Sequence, residues 1–227
     1  TSYALFDGQK YWDSDTAQDI SWLIFRIRGD TVSGQFYDIL FRKNPELTKS
    51  SQMLIYAGKT GAYTIGGPIA GGARIGGVDK RTMNDIFDAG RTHLGVAFQI
   101  RDDLLNLYEL EKVQKDKSYR SPYGKEPGDD LNEGKPTLMV AHFNETADET
   151  DKDKFYKIFG RLDPPLTMDE RIELYNMLKR YDALEVAEQV SRTRLSDGLA
   201  AMKQLILEDE RSQNFYNLIN FLVYRRW

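Results

Sequence analysis

Between Leu94 and Leu107 the chain is apolar almost all the way round a helix, and that stretch restricts the folds open to the molecule. A helix without a wet face has to be buried, and the rest of the sequence offers other helices to bury it. Apolar residues recur at helical spacing from Gln9 to Ile27, among them Trp12, Ile20, Leu23, Ile24 and Ile27. Gly29-Asp30 predicts a break there, followed by a short helix from Thr31 to Phe41 that stops at Asn44-Pro45. Leu47 to about Gly77 reads as a third helical segment, and Thr82 to about Lys115 as the longest. From Val113 to Pro136 the chain is polar and aperiodic, a length that in a compact domain marks a functional or mobile loop. Thr137–Phe143 reads as a short helix and Glu145–Lys154 as a solvated, charged connector. Lys154–Arg161, Met168–Tyr181, Leu184–Leu207 and Asn214–Val223 are amphipathic. With no alternation of period two, the expectation is an all-α, single-domain helical bundle over residues 1–227.

Composition narrows the function. The net charge of −4 leaves no basic surface able to neutralise a row of phosphates, which argues against a nucleic-acid partner. There is no cysteine, so disulfides and thiolate metal sites are excluded, in keeping with a reducing cytoplasm. His93 and His142 are the sole imidazoles, too few for a histidine-based zinc or iron centre. Any metal should therefore be a hard cation on carboxylates. No apolar run reaches the roughly 18 residues that a membrane span needs, and no signal peptide is visible. Gly66-Gly67, Gly71-Gly72 and Gly76-Gly77 recur in a helical segment, where each glycine costs about 1 kcal/mol against alanine. Close helix packing or a loop is the expected reason, ahead of direct ligand contact.

On the buried helix the polar exceptions are Gln99, Arg101, Asp102, Asp103 and Asn106. At about 100° per residue, Gln99, Asp102, Asp103 and Asn106 share one arc, with Thr92 and Gly95 on the same side and Arg101 elsewhere. Adjacent aspartates on a buried helix would repel each other and lose hydration. They are tolerated where they line a wet cavity or hold a cation. Mg²⁺ suits such a stripe, because it keeps several waters and takes one or two carboxylates together with substrate phosphates. Downstream, Gly124 to Thr137 alternates lysines, acids and glycines, so its lysines can grip the far side of a phosphate. Gly58-Lys59-Thr60 lacks the earlier glycine of a nucleotide-binding loop, Met53 standing in its place.

Phe98-Gln99-Ile100-Arg101-Asp102-Asp103 resembles the second aspartate-rich motif, FQxxDD, of the trans-isoprenyl diphosphate synthases, or polyprenyl synthetases. Lys125 to Thr137 resembles the GKxxGxDLxEGKxT loop of that family, Gly34-Gln35 with Asp38 its GQ segment, and Lys59-Thr60 its KT pair. Thr1 to Gly8 looks like the stretch that follows its first aspartate-rich motif. The resemblance implies an isoprenoid-synthase fold around a central cavity, and Mg²⁺-dependent condensation of isopentenyl diphosphate with an allylic prenyl diphosphate. It implies Asp102 and Asp103 as metal ligands, and Lys59, Lys125 and Lys135 on the diphosphate. Lys59, Thr60 and Gln99 are implied as catalytic residues, the last two through dipoles near the developing cation. Asn106 stands where an aspartate is common, which implies weaker metal support. Arg225 and Arg226 resemble a basic tail that some members fold toward the active site. A homodimer is also implied. The first aspartate-rich motif would lie before Thr1, so the expectation is the C-terminal two-thirds of a longer domain, without its N-terminal helices. Other readings are a non-catalytic partner subunit of a synthase and a terpene cyclase of the same fold, the latter disfavoured by the Lys125–Thr137 loop.

Overall fold

The computed structural model describes residues 12–121, 126–206 and 210–224, and among these every regular element is helical. The helix α1 spans Ser14–Leu40. The second, α2, is one continuous rod made of Lys49–Tyr56, a π-helical stretch Ala57–Gly66, and Gly67–Ile75. The third, α3, is built the same way, from Lys80–Ala89, a π-helical Gly90–Leu94, and Gly95–Lys115. Then follow α4 (Asp129–Asn132), α5 (Leu138–Thr146), α6 (Glu149–Ile158), α7 (Met168–Arg180), α8 (Ala183–Leu205) and α9 (Glu210–Tyr224). Side-chain caps start most of them. Asp13, Thr48, Asp79, Thr137 and Asp148 each accept a backbone N–H of the first turn, and Thr167 forms a reciprocal capping box with Glu170.

α3 is the axis of the molecule, as its all-round apolarity requires. Ile100, Leu104, Leu107 and Leu110 enter a core shared with α5, α6, α7 and α8. Met83, Ile86, Phe87, Leu94 and Ala97 enter a second core with α1, α2, the end of α8 and α9. Each large apolar side chain so buried contributes about 1.5–3 kcal/mol.

Two expectations are corrected. The chain does not break at Gly29-Asp30, because α1 runs through to Leu40. Its inward face, with Ile20, Leu23, Gly34 and Asp38, packs against α2, and that packing outweighs the roughly 1 kcal/mol cost of a glycine in a helix. Nor is Glu145–Lys154 a connector, although most of it is exposed. α5 continues to Thr146 and α6 begins at Glu149, with Asp151 and Phe155 buried. Its acidic first turn lies at the surface, with Glu149 87% exposed, and complements the helix dipole.

Two of the three glycine pairs serve packing and termination, whereas a Cβ on Gly71 or Gly72 would meet nothing closer than 3.7 Å. A Cβ on Gly61 would lie 2.3 Å from the carbonyl oxygen of Arg91, and one on Gly95 would lie 2.4 Å from the Cα of Gly61. The π-helical stretches of α2 and α3 therefore meet backbone to backbone. Gly66 packs in the same seam, against Phe87 and Arg91, while Gly76 caps α2 and Gly77 turns the chain away at φ 104°.

At the other end of α1, Asp19 receives Arg74 and Lys80, each at 2.9 Å. Burial works against its charge, but the two cations prevail and hold its carboxyl below the usual range. A carboxyl held low in the folded state stabilises it above the unfolded pKa, and that gain is lost as pH falls through the folded value. Asp19→Asn should therefore be less stable than wild type at neutral pH, with the gap closing below about pH 4. Urea titrations at pH 7 and pH 3 test this, and a gap that stays constant would contradict it.

Candidate functional site

The stripe on α3 meets α2 and the lysine loop in a continuous hydrogen-bonded chain. Thr60 donates its hydroxyl to Oε1 of Gln99 at 2.6 Å, and Gln99 donates Nε2 to Oδ1 of Asp103 at 2.9 Å. Lys135 donates to the same Oδ1 at 2.8 Å and to Asp130 at 2.9 Å. On the opposite oxygen, Oδ2, the hydroxyl of Tyr56 donates at 2.5 Å while itself accepting the N–H of Leu138 at 2.8 Å. Thr60 is in the π-helical stretch of α2, whose wider turns occur often at functional sites.

Lys59, next to Thr60, pairs with the buried Asp38 of α1 at 2.9 Å, and its side chain stays about a quarter exposed at 26%. Its place follows from packing, because a Cβ on Gly34 would lie 2.2 Å from the Lys59 nitrogen. No bulkier residue fits where α1 crosses α2 one turn before Asp38.

The two aspartates differ sharply. Asp102 is exposed, whereas the side chain of Asp103 is wholly buried. Burial pushes Asp103 up to about 6, against the pull of Lys135. For Lys135 burial opposes the charge, but Asp103 and Asp130 outweigh it and hold the ammonium above its ordinary pKa. These two tendencies pull the shared proton in opposite directions, and geometry decides between them. Tyr56, Gln99 and Lys135 all aim donors at Asp103, an arrangement that only the acceptor-only carboxylate satisfies. The pair is ionised. Tyr56, pushed up by burial and by the carboxylate beside it, keeps its proton.

Asn106 accepts the backbone N–H of Asp130 through Oδ1 at 3.3 Å, and its carbonyl accepts that of Gly128 at 3.2 Å. It thus anchors α4 and the loop to α3. Arg101 points away as its position on the wheel required, pairing with Glu188 of α8 at 3.4 Å. Thr92 gives its hydroxyl to the carbonyl of Asp88, and Gly95 serves the glycine seam. Lys125, Arg225, Arg226 and Thr1 to Gly8 lie outside the described residues. Reading the sequence alone missed Tyr56 and gave Asp130 no role. A tyrosine one turn before Lys59-Thr60 on a buried helix needs a partner for its hydroxyl, and that was the available signal.

Among the described residues no group of three carboxylate or imidazole side chains converges to hold a metal by itself. An exposed carboxylate, beside a buried one already neutralised by lysine, fits a cation that takes few protein ligands and several waters, as Mg²⁺ does. Likewise, no described helix is long and apolar enough to cross a membrane.

Comparison with known proteins gives a consistent picture. Residues 6–178 match the polyprenyl synthetase family. A short chain isoprenyl diphosphate synthase of Methanothermobacter thermautotrophicus is 31% identical over 193 residues, 85% of this chain and 54% of that protein. A geranylgeranyl diphosphate synthase of Sulfolobus acidocaldarius is 27% identical over 76% of this chain and 48% of its own length. The crystal structure of a geranylgeranyl pyrophosphate synthetase from Pyrococcus horikoshii superposes with a TM-score of 0.77 at 28% identity, over 93% of this chain and 60% of that one. The chain spans about half the length of the curated relatives it matches.

Proposed function

The chain belongs to the polyprenyl synthetase family, and from that premise we propose that the protein it comes from is a trans-isoprenyl diphosphate synthase. It condenses isopentenyl diphosphate with an allylic prenyl diphosphate. The allylic carbon–oxygen bond breaks, the isopentenyl double bond attacks the allylic cation, and loss of a proton leaves a product five carbons longer. The difficult step is charge separation, which calls for cations on the departing diphosphate and fixed dipoles near the carbocation.

The observation that carries this reading is the Thr60–Gln99–Asp103–Lys135 chain, with Lys59 beside it. Lys59 and Lys135, with Lys125 from the loop, bind the diphosphate, and both described lysines are already oriented by carboxylates. Thr60 and Gln99, hydrogen-bonded to each other through their oxygens, present their dipoles near the developing positive charge. Asp102 would hold Mg²⁺, whereas Asp103, expected as a second metal ligand, has its oxygens taken by Tyr56, Gln99 and Lys135. When bound, Mg²⁺ supplies further positive charge for the departing diphosphate.

The decisive experiment uses the complete reading frame with isopentenyl diphosphate, a series of allylic diphosphates and Mg²⁺, products being identified by mass. Growth in five-carbon steps, abolished by EDTA, is expected. No elongation from folded protein would transfer the assignment to a non-catalytic partner subunit. Asp102→Ala and Lys59→Ala should each lower turnover by about two or more orders of magnitude, the scale for removing a group that stabilises transition-state charge. Helicity should be unchanged, and near-normal rates in either variant would relocate the site.

The working form is a cytoplasmic homodimer. Trp22, Phe25, Val32, Phe36, Ile39 and Leu40 lie exposed along the side of α1 opposite its packed face, an apolar strip that favours a protein partner. Sedimentation of the complete protein at micromolar concentration should give the dimer, and Phe25→Asp should weaken it. A monomeric wild type would refute this.

A further inference from the structure

Tyr56 has no part in the chemistry above, yet three pieces of the site meet at its hydroxyl. The residue is 3% exposed and its ring packs in the core. Its O–H donates to Oδ2 of Asp103, and its oxygen accepts the backbone N–H of Leu138. Leu138 is the first residue of α5, and Lys135 stands three positions earlier, at the end of the lysine loop. One hydroxyl therefore joins the helix of Lys59-Thr60, the helix of Asp102-Asp103, and the root of the loop that delivers Lys135.

A carboxylate can turn about its last torsion unless both oxygens are held. With Oδ2 taken by Tyr56, Oδ1 is left facing Gln99 and Lys135, as their distances of 2.9 and 2.8 Å record. Without the hydroxyl, Oδ2 and the Leu138 N–H would both be buried without a partner. The carboxylate would then turn to share its remaining donors. We infer that Tyr56 is a positioning residue. It fixes the rotation of Asp103 and the start of α5 together, and so sets where the Lys135 ammonium stands to meet a diphosphate. This rests on the reading of the site as a diphosphate site, and the test separates the two.

Tyr56→Phe keeps the ring and removes only the hydroxyl. The chain, wild type and variant, is titrated calorimetrically with inorganic diphosphate in excess Mg²⁺, well below both melting temperatures, and each melting temperature is recorded without ligand. Wild type should bind, and Tyr56→Phe should bind about tenfold more weakly, the scale of one hydrogen bond to a charged group. Replacing Tyr56 by 4-aminophenylalanine, which restores a donor, should recover most of that affinity. A purely structural role would lower the melting temperature of Tyr56→Phe and leave its affinity at the wild-type value. That result overturns the inference and spares the site reading. Recovery of the melting temperature without recovery of affinity in the 4-aminophenylalanine protein would also overturn it. Wild-type protein that does not bind diphosphate would remove the site reading, and this inference with it.

Discussion

Lys135→Ala is expected to lose about 3–5 kcal/mol of stability, the range found when one partner of a buried ion pair is removed. The lysine side chain is 15% exposed and stands between the carboxylates of Asp103 and Asp130, which are 0% and 10% exposed. Without it, two buried negative charges face each other with no cation between them. The pH dependence has a definite sign. Asp103 is already pushed up to about 6 by burial with the lysine in place, and removing the lysine raises it further. A carboxyl whose folded pKa is raised penalises the folded state above that value, and protonation relieves it. The deficit of Lys135→Ala should therefore be largest near pH 8 and shrink as pH falls through the raised pKa. Adding Asp103→Asn should recover part of it. Urea unfolding at pH 8 and pH 5 measures both effects. A loss below about 1 kcal/mol would be that of a surface pair, and would mean that water reaches the carboxylates. Turnover should fall as well, since the same ammonium is assigned to the diphosphate.

Gly61→Ala should also be damaging, although it adds a single methyl group. The new carbon would lie 2.3 Å from the Arg91 carbonyl oxygen, and backbone cannot move aside as a side chain can. The π-helical stretches of α2 and α3 would have to separate by about 1 Å, and overpacking of this kind costs about 1–3 kcal/mol or more. Thr60 is the preceding residue and bonds Gln99 at 2.6 Å across that seam, so the separation opens the polar chain too. The expected result is either insoluble protein or a folded variant with little turnover. Gly72→Ala is the control on the same helix. A Cβ there meets nothing within 4 Å, so the variant should gain about 0.5–1 kcal/mol from helix propensity. Equal behaviour of the two variants would show that the seam is loose.

Much of the fold was legible because its determinants are local. Apolar spacing along Met168–Arg180 and Ala183–Leu205 located α7 and α8 to within about two residues, and the wheel from Gln99 to Asn106 separated Arg101 from the polar stripe. Local rules failed where tertiary contacts outweighed them, as at Gly29, where packing carries α1 past a helix breaker. They also failed at Asp148–Asp151, where an exposed charge run that reads as a connector caps and opens a helix.

The sequence by itself therefore determined that the chain is a helical bundle, that two aspartates lie on a buried helix, and that a lysine-bearing loop follows them. Tertiary structure alone decided which aspartate is buried and which is exposed, and which lysine each carboxylate holds. It also decided that Tyr56 lies beneath the site. The bonds that make those choices join residues 47, 39 and 32 positions apart, from Tyr56 to Asp103, Thr60 to Gln99 and Asp103 to Lys135. A period of 3.6 residues records which face of a helix turns inward, but not which residue of another helix waits there. That is set by how closely the backbones approach, and here the glycines at 34, 61 and 95 set it.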